Sequence, residues 1–123
     1  MAPIPILKQG DVLIASVQSA LTDQDLLRLK AELAENVGRF RSRGVIIDVT
    51  ALDVIDSFAT RTLRTLAATT RLRGAETVVV GIQPEVAMAL VQLGLTLEGI
   101  TMALDLEEGL EFLSARARDA DGG

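Results

Sequence analysis

The sequence predicts one α/β domain over residues 1–118, a mixed β-sheet of about five strands with about four helices, ending in a frayed tail at 119–123. Three observations predict it. Short apolar runs of strand length alternate with stretches of helical periodicity. An opening pair of strands precedes that alternation, so a hairpin edge joins a sheet made parallel by right-handed crossovers. The chain has 123 residues, enough for one core and too few for two ordinary domains.

The elements follow in order. Ile4 to Leu7 and Val12 to Val17 read as strands, separated by the turn chemistry of Lys8-Gln9-Gly10-Asp11. Thr22, with Asp25 three residues later, reads as a helix N-cap with an acid near the positive end of the helix dipole. Leu26, Leu29, Leu33 and Val37 then recur at helical spacing, and Gly38 is expected to close that helix in the left-handed conformation. Val45-Ile46-Ile47-Asp48-Val49, after Gly44, reads as a strand buried on both faces. A second helix is expected from about Ser57 to Leu72, and Thr77 to Ile82 forms the next strand. Pro84 suits the first turn of a third helix, running through Val86, Leu90, Val91 and Leu93 to a stop at Gly94. Ile100 to Leu104 is a last, shorter strand. Asp105 and Glu108 open a final helix with Leu106, Leu110 and Leu113 on one stripe.

Composition narrows the function. Aromatic residues make up 2% of the chain, so the core is aliphatic and the surface lacks stacking platforms for single-stranded nucleic acid. A net charge of −5 opposes binding to nucleic acid or an anionic bilayer. With no Cys and no His, the chain offers no disulfide, thiolate nucleophile or histidine phosphotransfer, and little basis for zinc chemistry. Neither G-x-G-x-x-G nor a Walker pattern occurs, so no nucleotide loop and no cofactor are expected. No apolar run reaches the roughly 18–20 residues of a membrane span, and Met1-Ala2-Pro3-Ile4-Pro5 lacks signal-peptide character. A cytoplasmic, non-enzymatic protein is the expectation.

One segment stands apart from the packing pattern: Asp53-Val54-Ile55-Asp56-Ser57-Phe58-Ala59-Thr60-Arg61. Asp56 is positioned as an N-cap, which puts Ser57 in the first helical turn with its hydroxyl near solvent. A helix start leaves backbone N–H groups unpaired and carries a positive dipole, so it tolerates a phosphate. Arg61 lies one turn along the same face, able to pair with such a group. From these residues alone, an ordinary cap before an amphipathic helix is the favoured reading of the segment. Thr60 and Thr96 are possible second acceptors, or a helix-face and a loop threonine with no such role. Arg61, Arg64, Arg71 and Arg73 give the second helix a basic side, for an acidic partner or simply for solvent. Asp48 and Asp53 have too few companions for a metal site, and Asp48 better serves the loop through backbone hydrogen bonds.

The chain resembles the STAS-domain antagonists of anti-sigma factors, and within that superfamily the stressosome scaffolds of the RsbS type. Four stretches carry the resemblance in order along nearly the whole chain. They are Ile4-Pro5-Ile6-Leu7; Gly44 to Asp48 leading to Ile55-Asp56-Ser57-Phe58; Gly81-Ile82-Gln83-Pro84 with Val86-Ala87; and Ala103-Leu104-Asp105-Leu106-Glu107 with Gly109-Leu110-Glu111. The resemblance implies a scaffold that assembles with itself and with RsbR-like sensor proteins bearing STAS domains. It would sequester an RsbT-like serine/threonine switch kinase, release it on phosphorylation at Ser57, and be reset by an RsbX-like phosphatase in a partner-switching stress response. Asp48, Asp53, Asp56 and Arg61 would support that site. The alternative within the superfamily is a free-standing antagonist that binds an anti-sigma kinase directly.

Overall fold

The computed structural model describes residues 4–18 and 22–122. The expectations for Met1-Ala2-Pro3 and for Gly123 lie outside those residues. The element order is β1 (Ile6–Gln9), β2 (Val12–Ser16), α1 (Asp23–Phe40), β3 (Gly44–Asp48), α2 (Ser57–Leu72), β4 (Glu76–Val80), α3 (Pro84–Gln92), β5 (Thr101–Ala103) and α4 (Leu106–Gly122). The sheet order is β1-β2-β3-β4-β5, with β1 antiparallel to β2 and the rest parallel. This is the mixed five-stranded, four-helix α/β architecture that the alternation of periods predicts.

Alternate residues of the strands feed two cores, as the pleat requires. Leu13, Ala15, Val45, Ile47 and Val79 pack with Leu29, Leu33, Leu63, Leu66, Val86 and Leu90 from α1, α2 and α3. Val12, Ile14, Ile46, Val78 and Val80 face Leu113 of α4, with Leu106, Leu110 and Phe112 against them. Three helices thus cover one face and α4 the other. Because β2 to β5 are parallel, their C-terminal ends and the N-termini of all four helices gather at one end of the molecule.

Local chemistry sets most boundaries. Thr22 and Asp25 form a reciprocal capping box, Asp25 N–H donating to Thr22 Oγ1 at 3.1 Å and Thr22 N–H to Asp25 Oδ2 at 3.2 Å. Several strand ends shift by one or two residues from expectation, and three boundaries differ for a local reason. Strand β1 runs to Gln9, opposite Val12, because the turn is the two residues Gly10 and Asp11 alone. Helix α1 continues through Gly38, and Arg41 takes the left-handed cap at φ 51°. Gly38 instead makes room: a Cβ there would run into the guanidinium of Arg73. Helix α4 runs to Gly122, so residues 119–122 extend the helix where the sequence suggested fraying. Ala115 and Ala117 favour the helix, and Arg116 fastens the stretch to β4 with Nε and Nη2 both 3.0 Å from Glu76 Oε2.

Candidate phosphoacceptor site

The loop between β3 and α2 is built on Asp48, the last residue of β3. Its Oδ1 accepts from Thr50 N–H at 2.9 Å and from Thr50 Oγ1 at 2.6 Å, turning the chain sharply off the strand. Val49 N–H donates to Val80 O at 3.0 Å and Leu52 N–H to Val49 O at 2.9 Å, tying the loop to β4 and to itself. Gly81 sits against the far side of Thr50 with φ 81°, and a Cβ there would overlap Thr50 Oγ1. Only glycine meets both demands.

The loop then meets a residue that the sequence argument did not single out as part of the site. Gln83 Nε2 donates to Thr50 O at 2.9 Å and to Asp53 Oδ1 at 3.4 Å, bridging the β4–α3 turn to the Ser57 loop. A signal existed: Gln83 occupies the N-cap of α3, a position that favours Ser, Thr, Asp or Asn, yet it makes no capping bond with its side chain. Its side chain is committed across the loop instead. Asp48 and Asp53 are therefore both held in hydrogen bonds, and among the described residues no cluster of three or more metal-ligating side chains is present.

Helix α2 begins after this clamp. Asp56 is its N-cap and accepts from Ala59 N–H at 2.8 Å, while Thr60 N–H closes the first turn on Asp56 O at 3.0 Å. Ser57 is the first helical residue and is exposed. The N–H groups of Ser57 and Phe58 find no acceptor among the described residues, so the turn keeps donor capacity beside the serine hydroxyl. Arg61 is exposed one turn on, with no polar partner among the described residues.

Thr60 and Ser57 have opposite environments. Thr60 is fully buried, and its Oγ1 donates to Asp56 O at 2.9 Å. A kinase cannot reach it without opening the helix, which corrects the reading of Thr60 as a second acceptor. Thr96 is exposed in the α3–β5 loop, where its Oγ1 accepts from Arg64 Nη1 at 3.5 Å. It lies beside the middle of α2 and is not brought together with Ser57. The arginines of α2 are likewise split: Arg64 reaches Thr96, and Arg71 Nη2 donates to Gly99 O at 2.5 Å.

Ser57 also borders an open groove of about 480 Å³. One wall is the run from Asp53 to Ser57, and the other is the Glu85, Val86, Ala89 and Leu93 side of α3. Val91 and Leu93, expected on the apolar face of α3, are largely exposed, because Val86 and Leu90 alone face the core. The serine is thus set at the rim of an open, partly apolar and acid-lined groove.

The STAS domain family matches residues 3–109. Among solved structures, a serine-to-glutamate variant of Moorella thermoacetica RsbS is 37% identical, covers 95% of this chain and 99% of its own, and superposes with a TM-score of 0.82. A structure described as the molecular architecture of the stressosome, a signal integration and transduction hub, is 38% identical, covers 93% and 99% of the two chains, and has a TM-score of 0.76. Among curated proteins, the RsbT co-antagonist protein RsbRA of Bacillus subtilis (strain 168) is 26% identical over 108 residues. That match takes in 88% of this chain and 39% of RsbRA, so the chain spans well under half of that relative's length.

Proposed function

Because the chain belongs to the STAS-domain family, and its structure lies close to RsbS and to a stressosome component, we propose that it is a non-enzymatic, phospho-regulated scaffold of a stressosome. In this reading it assembles in the cytoplasm with copies of itself and with RsbR-like proteins. It holds an RsbT-like serine/threonine kinase, releases it when Ser57 is phosphorylated, and is reset by an RsbX-like phosphatase. The observation that carries the reading is the placing of Ser57: exposed, at a capped helix start, on a pinned loop, at the rim of an open groove.

The physical effect of modification follows from that placing. Phosphate brings about −1.5 to −2 charges at neutral pH to a surface that already carries Asp53, Asp56 and Glu85. Against an opposing carboxylate at roughly 6 Å, each unit pair repels by about 0.7 kcal/mol at the dielectric of water and about 3 kcal/mol at an effective dielectric of 20. An exposed site sits toward the lower figure, so a doubly charged phosphate gives about 1.5 kcal/mol, roughly a tenfold loss of affinity per opposing acid. The helix itself stays folded, since its N-terminus favours negative charge.

The test has two parts. Incubation with the switch kinase and ATP places phosphate on Ser57 by peptide mass spectrometry, and the kinase binds the phosphorylated form at least about tenfold more weakly. Mixed with an RsbR-like partner, the protein elutes as a particle far larger than either component. Equal kinase affinity for both forms refutes the switch. A mixture that yields only small dimers refutes the scaffold and leaves the free-standing antagonist.

A further inference from the structure

Helix α2 carries the opposite charge to the molecule around it. The chain has 17 acids against 12 bases, yet the 16 residues of α2 include Arg61, Arg64 and Arg71 and no acid at all. These arginines are not scattered around the helix. Ser57, Arg61, Arg64, Ala68 and Arg71 follow one another by alternating steps of four and three, so they share one face. All are exposed except Arg64, which is half-buried. A mean step of 3.5 keeps such a row nearly parallel to the axis, the spacing along which two helices pack side by side. The row is about 21 Å long at 1.5 Å per residue, and Ser57 stands at its head.

None of the three arginines meets a carboxylate among the described residues. Arg61 has no polar partner there, Arg64 Nη1 reaches the neutral Thr96 Oγ1 at 3.5 Å, and Arg71 Nη2 donates to Gly99 O. Their charges are therefore uncompensated, whereas Arg43 pairs with Asp11 and Arg116 with Glu76. Arg73 falls outside the row, its guanidinium lying over Gly38. The helix dipole favours a cation at Arg71, in the last turn, but gives no reason for one at Arg61 or Arg64.

We infer that this row seats an acidic helix of the kinase, with its carboxylates facing Arg61, Arg64 and Arg71; the inference rests on the kinase-holding reading above. A nucleic acid is negative along its whole length and would meet Asp53, Asp56 and Glu85 beside Ser57. A protein helix carries its acids only where the arginines are. The row also links binding to the switch. A phosphate on Ser57 draws Arg61, one turn on, away from the partner and stands opposite the same carboxylates. It thereby removes an attraction and adds a repulsion at one end of a single contact.

Calorimetric titration of a purified RsbT-like kinase into the unmodified protein tests this. Ala68 is exposed in the middle of the row, so Ala68→Lys and Ala68→Glu place opposite charges there on side chains of similar reach. At about 0.1 M salt, Ala68→Glu and Arg61→Glu each weaken kinase binding at least about tenfold, while Ala68→Lys binds at least as tightly as wild type. The spread narrows at about 1 M, where the Debye length falls from about 10 Å to about 3 Å. Arg118→Glu, the same charge change on the exposed side of α4, leaves binding unchanged. Circular dichroism checks each fold, and Arg61→Gln gives a milder version if charge reversal unfolds the chain. Equal affinity across the set, or equal loss in Ala68→Lys and Ala68→Glu, overturns the inference and leaves the kinase-holding reading intact. A kinase that does not bind the wild type overturns both. Variants that lose assembly with an RsbR-like partner but keep the kinase assign the row to the scaffold contact, and the inference falls.

Discussion

Gly81→Ala tests whether the Ser57 loop is held as the geometry indicates. The residue lies at φ 81°, in the left-handed region that costs an alanine about 1–2 kcal/mol. The new methyl would also occupy the place of Thr50 Oγ1. Thr50 cannot turn its hydroxyl away freely, because that oxygen donates to the Asp48 carboxylate at 2.6 Å. Losing a hydrogen bond to a charged group costs about 1.5–3 kcal/mol. Together the two effects place Gly81→Ala at about 2.5–5 kcal/mol of destabilisation. Thr50→Ala alone gives up the same hydrogen bond and costs about 1.5–3 kcal/mol. The double variant loses that bond only once, so its cost falls short of the sum of the singles by about 1.5–3 kcal/mol. Urea denaturation of the four proteins measures the cycle, and hydrogen exchange at the Thr50 amide reports whether the loop has opened. Additive costs, or a Gly81→Ala cost below about 1 kcal/mol, would refute the steric argument.

Two further outcomes are expected. Thr60→Val keeps stability within about 1 kcal/mol, since Thr60 N–H still satisfies Asp56 O, whereas Thr60→Glu costs more than about 3 kcal/mol by burying an unpaired charge. Ser57→Glu, at the exposed end of the same turn, is tolerated; thermal melts that rank the two glutamate variants the other way contradict the burial. Arg61→Ala lowers the stability of Ser57-phosphorylated protein by about 0.5–1 kcal/mol and leaves the unmodified protein unchanged, because Arg61 has no polar partner among the described residues for the phosphate to displace. Equal melting shifts in both forms would show that Arg61 acts elsewhere.

What could be read in the sequence is what depends on neighbours a few positions apart. The Thr22–Asp25 box, the Asp56 cap and the start of α2 follow from side chains that meet the backbone within one helical turn. The apolar run of β3 and the alternation of periods carry the sheet, since a parallel strand covered on both faces has to be apolar throughout. The same local logic placed Ser57 in a first turn.

Tertiary structure decided whatever depends on distant partners. Thr60 and Ser57 lie in one helical turn, yet only packing determines that Thr60 is buried and Ser57 is not. Gly38 looked like a helix stop by its own conformational freedom, until the Arg73 side chain lying over it gave the missing Cβ a different purpose. Gln83 reaches Thr50 across 33 positions of sequence, and no local rule anticipates that clamp. Periodicity and capping are short-range, so they name the elements; the sheet brings residues far apart in sequence together, and that proximity makes the site.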